Sequence, residues 1–88
     1  MHTLRPTKKY LDGVNKLGKS TREKLKKQHA LLEKDPFHPT LHTKQLRGKL
    51  AGVLSFRIGR NYRALFTIND EDKVIKLLRV NARGKIYK

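Results

Sequence analysis

The apolar positions of this chain fall into two regimes. From Thr7 to Leu17, the residues Tyr10, Leu11, Val14 and Leu17 recur at helical spacing, which predicts a first helix. Gly18 stands where a helix C-terminal cap belongs. Ser20-Thr21-Arg22-Glu23 follows as a capping-box pattern, opening a second helix that carries Leu25, Leu31 and Leu32. That helix must stop by Asp35-Pro36, because a residue before proline disfavours the helical conformation. Pro36 to Thr43, with Pro39, His38 and His42, reads as a connector. Beyond it the period changes to two. Leu54, Phe56 and Ile58 alternate with Val53, Ser55 and Arg57, and Tyr62, Ala64, Phe66 and Ile68 alternate with Arg63, Leu65 and Thr67. Asn69-Asp70-Glu71-Asp72 is a polar turn, and the largely apolar run from Val74 to Val80 predicts an interior strand. Helices first and strands afterwards, joined by hairpin-length links, argue for an α+β fold. We expect an N-terminal helical hairpin packed on one face of a small antiparallel sheet, with Met1 to Arg5 as a short leading strand.

Parity then sorts the strand residues. If Leu54, Phe56, Ile58, Ala64, Phe66 and Ile68 face the helices, Arg57 and Arg63 face the other way. The link Gly59-Arg60-Asn61 is short enough to make their strands neighbours, so two guanidinium groups should share an open sheet face. Arg79 and Arg83 share a parity with each other, and their face depends on register.

Composition sharpens this picture. The 88 residues form a single domain, residues 1–88, whose thin core leaves little room for an enclosed cofactor pocket. No apolar run approaches the roughly 20 residues of a membrane span. Met1 to Pro6 leads into charged sequence without an apolar signal segment, so a cytoplasmic location is expected. With no cysteine there is no disulfide, zinc-thiolate site or cysteine nucleophile. His38 and His42 are four apart, but Pro39 between them opposes a shared helix, so neither a metal nor a cofactor is expected.

Charge dominates the rest. Twenty-two Lys and Arg against seven Asp and Glu give a net charge of +15. Folding does not need this charge, since self-repulsion opposes compaction. A solubilising or ribosomal-type cationic surface is the ordinary reading, and a phosphate-rich partner is the sharper one. Placement favours the sharper one. No acid occurs between Asp35 and Asp70, whereas Lys44, Arg47, Lys49, Arg57, Arg60 and Arg63 all fall there. A solvated, ion-paired face would mix signs.

An arginine-bearing sheet face suits RNA. Arginine clamps phosphate through paired donors, and a tyrosine ring can stack on a base. Cleavage at a 2′-hydroxyl needs a base, an acid and stabilisation of a charged phosphorane. With no acid or histidine in the strands, Lys, Arg and Tyr would share those roles. A lone strand arginine is ordinarily just a solvated residue. Parity-matched arginines in an acid-free stretch weaken that explanation.

The segment Leu41-His42-Thr43-Lys44-Gln45-Leu46-Arg47-Gly48-Lys49-Leu50-Ala51-Gly52, running into Ser55-Phe56-Arg57-Ile58-Gly59-Arg60-Asn61-Tyr62-Arg63-Ala64-Leu65-Phe66, resembles the RelE/ParE toxin superfamily. The ending Asp72-Lys73-Val74-Ile75-Lys76-Leu77-Leu78-Arg79-Val80, then Arg83-Gly84-Lys85-Ile86-Tyr87-Lys88, looks like archaeal RelE-type toxins. The resemblance implies a type II toxin, neutralised by a cognate antitoxin whose acidic segment wraps it. In the RelE branch it implies metal-free cleavage of mRNA in the ribosomal A site. By position, Arg63 matches the phosphate-stabilising arginine and Arg57 the basic strand residue. Arg83 and Tyr87 match the C-terminal pair linked to base stacking and proton transfer. Lys49 joins these as a catalytic candidate, and Lys44, Arg47, Arg60 and Lys85 are candidate RNA contacts. The lysine pair of bacterial RelE members is replaced by Leu54 and Phe56, so Lys44, Lys49 or Arg57 would substitute. The glutamate and terminal histidine of YoeB members are missing, which leaves the general base unassigned. ParE members share the fold but act on DNA gyrase, which makes gyrase the alternative partner. A non-catalytic RNA- or ribosome-binding module is the third reading.

Overall fold

The structure, a computed structural model, describes residues 1–82. Strand β1 (Thr3–Pro6) leads into helices α1 (Lys8–Asn15) and α2 (Lys19–Lys34), and β2 (Lys44–Gln45), β3 (Leu54–Ile58), β4 (Tyr62–Asn69) and β5 (Val74–Ala82) follow. The five strands form one sheet in the order β1-β5-β4-β3-β2. Pairing is antiparallel except that β1 lies parallel to β5, Thr3 opposite Val74. The run predicted to be interior, β5, is flanked on both sides.

Both helices pack on the face that strand parity selected. Tyr10, Leu17, Leu25, Leu32, Leu41, Leu54, Phe56, Ile58, Ala64, Phe66, Ile75 and Leu77 form the main core. Tyr10 is fully buried and its hydroxyl lies 2.7 Å from His29 Nε2, joining the helices by a polar contact inside the core. Burial pushes the phenol of Tyr10 up. His29 is pushed down by burial, partly opposed by the charge of Glu33, so the pair is held neutral. The Thr7 hydroxyl accepts from Tyr10 N at 3.1 Å, capping α1, and donates to Leu78 O at 2.7 Å, tying that cap to β5. Gly13 lets α1 lie flat on the sheet, since a Cβ there would stand 3.0 Å from Val80 Cβ.

The helix boundaries differ from the sequence reading. Helix α1 ends at Asn15 with Lys16 as its C-cap. Gly18 is the N-cap of α2, in extended conformation (φ −66°), not a left-handed stop. The Ser20 to Glu23 capping-box signal therefore lies inside the first turns of α2. The reason is length: only three residues, Lys16 to Gly18, separate the helices, so α2 starts before Ser20. Its end falls as expected, at Lys34, with Asp35 extended before Pro36. The connector contains a 3-10 turn, Pro39–Leu41, whose Leu41 is fully buried. Among the described residues no helix is long and apolar enough to cross a membrane.

Candidate nucleic-acid interface

Register places the two strand arginines together. On β3 and β4, Arg57 is the direct partner of Arg63, and Arg63 is in turn opposite Asn81 on β5. Directly opposed residues share a face, so Arg57, Arg63 and Asn81 form one row on the side away from the helices. The next row reads Lys44, Ser55, Leu65 and Arg79. Lys44 is thus a diagonal neighbour of Arg57.

The hydrogen-bond phase makes the arginine contact closer still. Leu46 N donates to Val53 O at 2.9 Å, which marks that pair as hydrogen-bonded. Bonded and non-bonded pairs alternate along an antiparallel ladder. Counting along β3, the main-chain groups of Leu54 and Phe56 point at β4, and those of Ser55 and Arg57 point away. Arg57 and Arg63 are therefore a non-hydrogen-bonded pair, the type in which Cα atoms approach to about 4.5 Å and side chains stand closest. Like charges directly opposite destabilise a sheet. An anion between them would offset that cost.

Burial departs from expectation. Arg63 was expected on an open surface, yet it is only 9% exposed. Ser55 is 1% exposed, and its Oγ has no hydrogen-bond partner among the described residues. Leu65 shares the arginine face and is 3% exposed. Leu65 belongs to a second small core, in which Leu46, Leu50, Val53 and Leu78 pack together with it. Leu50 of this core stands on a 3-10 turn, Gly48–Leu50, entered through Gly48 at φ 69° and left through Gly52 at φ 89°, left-handed conformations that favour glycine.

The candidate residues separate into groups. Arg57, Arg63 and Lys44 come together through strand register. Arg47 and Lys49 are exposed on the 3-10 turn that borders them, and no strand register puts Lys49 in the arginine row. Arg60 is exposed in the β3–β4 turn beside Gly59. Arg83, Lys85 and Tyr87 lie outside the described residues. Sequence reasoning missed Asn81 and Ser55. A register shift between Leu65 and Phe66 sets Asn81 opposite Arg63. The adjacent apolar pair Leu77-Leu78, which breaks alternation, was its visible signal. Among the described residues no group of three or more His, Cys, Asp or Glu side chains could hold a metal ion.

Known proteins share the family and the fold of this chain. The sequence matches the model of the ParE toxin of type II toxin-antitoxin systems over residues 4–87. It is similar in structure to the archaeal RelE-RelB complex from Pyrococcus horikoshii OT3, with 25% identity and a TM-score of 0.82 over 96% of this chain and 97% of that one. The toxin-antitoxin complex RelBE2 from Mycobacterium tuberculosis is 30% identical, with a TM-score of 0.65 over 93% of this chain and 98% of that one. The YoeB/ParE toxin from Agrobacterium tumefaciens shares the fold, with a TM-score of 0.80 at 18% identity over 92% of this chain and 98% of that one. No curated protein matches the sequence significantly.

Proposed function

Because the chain belongs to the ParE toxin family of type II toxin-antitoxin systems, within the RelE/ParE superfamily, we propose that this toxin is a ribosome-dependent mRNA endonuclease that works without a metal and so stops translation. The observation that carries this reading is the direct pairing of Arg57 with Arg63 at the closest type of cross-strand contact, in a stretch without acids. Two opposed guanidiniums suit a phosphate that gains charge. In the reaction a 2′-oxygen loses its proton and attacks the adjacent phosphorus, and the bond to the 5′-oxygen breaks as that oxygen is protonated. Arg63 and Arg57 stabilise the phosphorane between these steps. Lys44, Arg47, Lys49, Arg60 and Lys85 hold the backbone on either side. Arg83 and Tyr87 remain candidates for leaving-group protonation and base stacking, by resemblance alone. The toxin works in the cytoplasm, where ribosomes are. Its antitoxin presents an acidic segment to the same basic face, and the charge difference speeds their encounter.

The test is expression in a translation extract, followed by primer extension on the message. Codon-phased cuts that require ribosomes and persist under chelation, with magnesium retained for the ribosome, are expected. The family model itself favours a second reading, since it is that of ParE. Uncut message together with gyrase-dependent DNA breaks would establish DNA gyrase as the target.

A further inference from the structure

Strand β3 has a gap on its outer edge. Its partner β2 ends after pairing Lys44 with Ser55 and Gln45 with Leu54. Beyond Ser55 no strand among the described residues meets β3 on that side, although the main-chain groups of Arg57 point there. One side chain fills the gap: Gln28, reaching from α2, donates from Nε2 to the carbonyl of Arg57. It does so from a groove that it lines with Leu31, Thr40 and Gly59.

Two further facts give this contact weight. The Nε of Arg57 is buried and makes no hydrogen bond among the described residues. At that atom, then, no hydrogen bond fixes the direction of the guanidinium, and the main chain beneath it carries more of the aim. Second, Gln28 Oε1 is also buried and unpartnered among the described residues. A side chain kept for packing alone would be better served by leucine or methionine, which bury no orphan acceptor. The amide orientation is fixed by its donor, because the flipped amide would set oxygen against oxygen.

We infer that Gln28 is a positioning residue for Arg57: it takes the place of the missing neighbour strand and holds the Arg57 main chain so that its guanidinium stays opposite Arg63. The helical hairpin thereby helps to set the geometry of a face it does not touch. The inference rests on the reading that Arg57 binds phosphate. Displacement of a positioned group by about 1 Å costs on the order of a hundredfold in rate at the extreme, and a partly restrained strand loses less.

The experiment uses the full chain with Gln28→Glu, which keeps the shape and removes the donor, and Gln28→Lys, which returns one. Three quantities are read: single-turnover cleavage on ribosomes, affinity for a short single-stranded RNA, and the nitrogen-15 resonances of the arginine Nε groups in the free protein. We expect Gln28→Glu to slow cleavage roughly tenfold with affinity within about twofold. The Arg57 resonance should move while that of Arg5 stays, and Gln28→Lys should recover most of the rate. An unmoved Arg57 resonance, or a rate loss that follows thermal stability and is not rescued by lysine, overturns the inference. If the wild type does not cleave, the nuclease reading fails, and the resonance of Arg57 with and without RNA still decides the positioning role.

Discussion

The two ends of the same sheet face are built to opposite rules. At the β3–β4 end stand Arg57, Arg63 and Asn81, with Lys44 and Arg60 beside them and no acid in the sequence between Asp35 and Asp70. At the β4–β5 end, Arg5 and Lys76 are also paired, but the turn there carries Asp70, Glu71 and Asp72. That turn is internally organised: Asn69 accepts from the amides of Glu71 and Asp72 and donates to the Asp72 carboxylate at 3.3 Å. Arg5, Thr67, Asp72 and Lys76 line one groove of about 630 Å³. One carboxylate of the chain, Asp72, lies in the same groove as its cations. The difference teaches that cation density alone does not define a phosphate site. The placement of acids along the sequence, absent between Asp35 and Asp70, is what sets the arginine row apart.

The first way to break the comparison is Arg63→Ala. One lost donor to a developing oxyanion typically costs about 10²- to 10³-fold, and single-turnover cleavage should fall by that much. Because Arg63 is 9% exposed, stability should fall too, by about 1–3 kcal/mol, which a denaturant midpoint would show. Arg63→Lys keeps the charge without the planar fork and should be partly active. A folded Arg63→Ala protein that cuts at the wild-type rate would remove the arginine row from the mechanism.

Leu65→Ala probes the second core. Emptying it should cost about 2–4 kcal/mol, read by urea unfolding, and free the turn that carries Arg47 and Lys49. If stability holds, the cluster is not a core. Lys44→Ala is milder. It should reduce the salt slope of RNA binding by about 0.7, one phosphate on a single strand, and an unchanged slope would place Lys44 off the RNA path. Smallest of all is the double change Arg5→Ala with Lys76→Ala. Surface substitutions of this kind stay within about 0.5 kcal/mol, so cleavage should remain within about twofold. A loss as large as that of Arg63→Ala would erase the distinction between the ends.

Much of this was legible before any coordinates. Alternation of Leu54, Phe56, Ile58 with Arg57, and of Ala64, Phe66 with Arg63, gave the sheet and the shared face, because a period of two has one solution once one side is buried. What escaped were features that depend on where elements stop. The early end of β2 leaves the gap that Gln28 fills, and nothing in a lone glutamine on a basic helix signals it. The second core needs Leu46, Leu50 and Val53 to pack with Leu65 on a strand they precede, a tertiary choice outside local pattern. For the same reason the burial of Arg63 could not be read from parity, which gives a face and not a depth. Asn81 lay beyond a register shift that parity counting does not cross.

The parallel pairing of β1 with β5 has a consequence for how the protein is born. Thr7, at the end of the first strand, bonds to Leu78, 71 residues later. Closing so long a loop precedes any reward from the contacts it brings, which makes such sheets slow to assemble. The arginine face has the same dependence, since the partner of Arg63 on its far side is Asn81. A chain still being synthesised therefore lacks a completed arginine row until β5 has been made. On the proposed reading of the arginine row as an RNA surface, topology delays that surface until the last strand is in place.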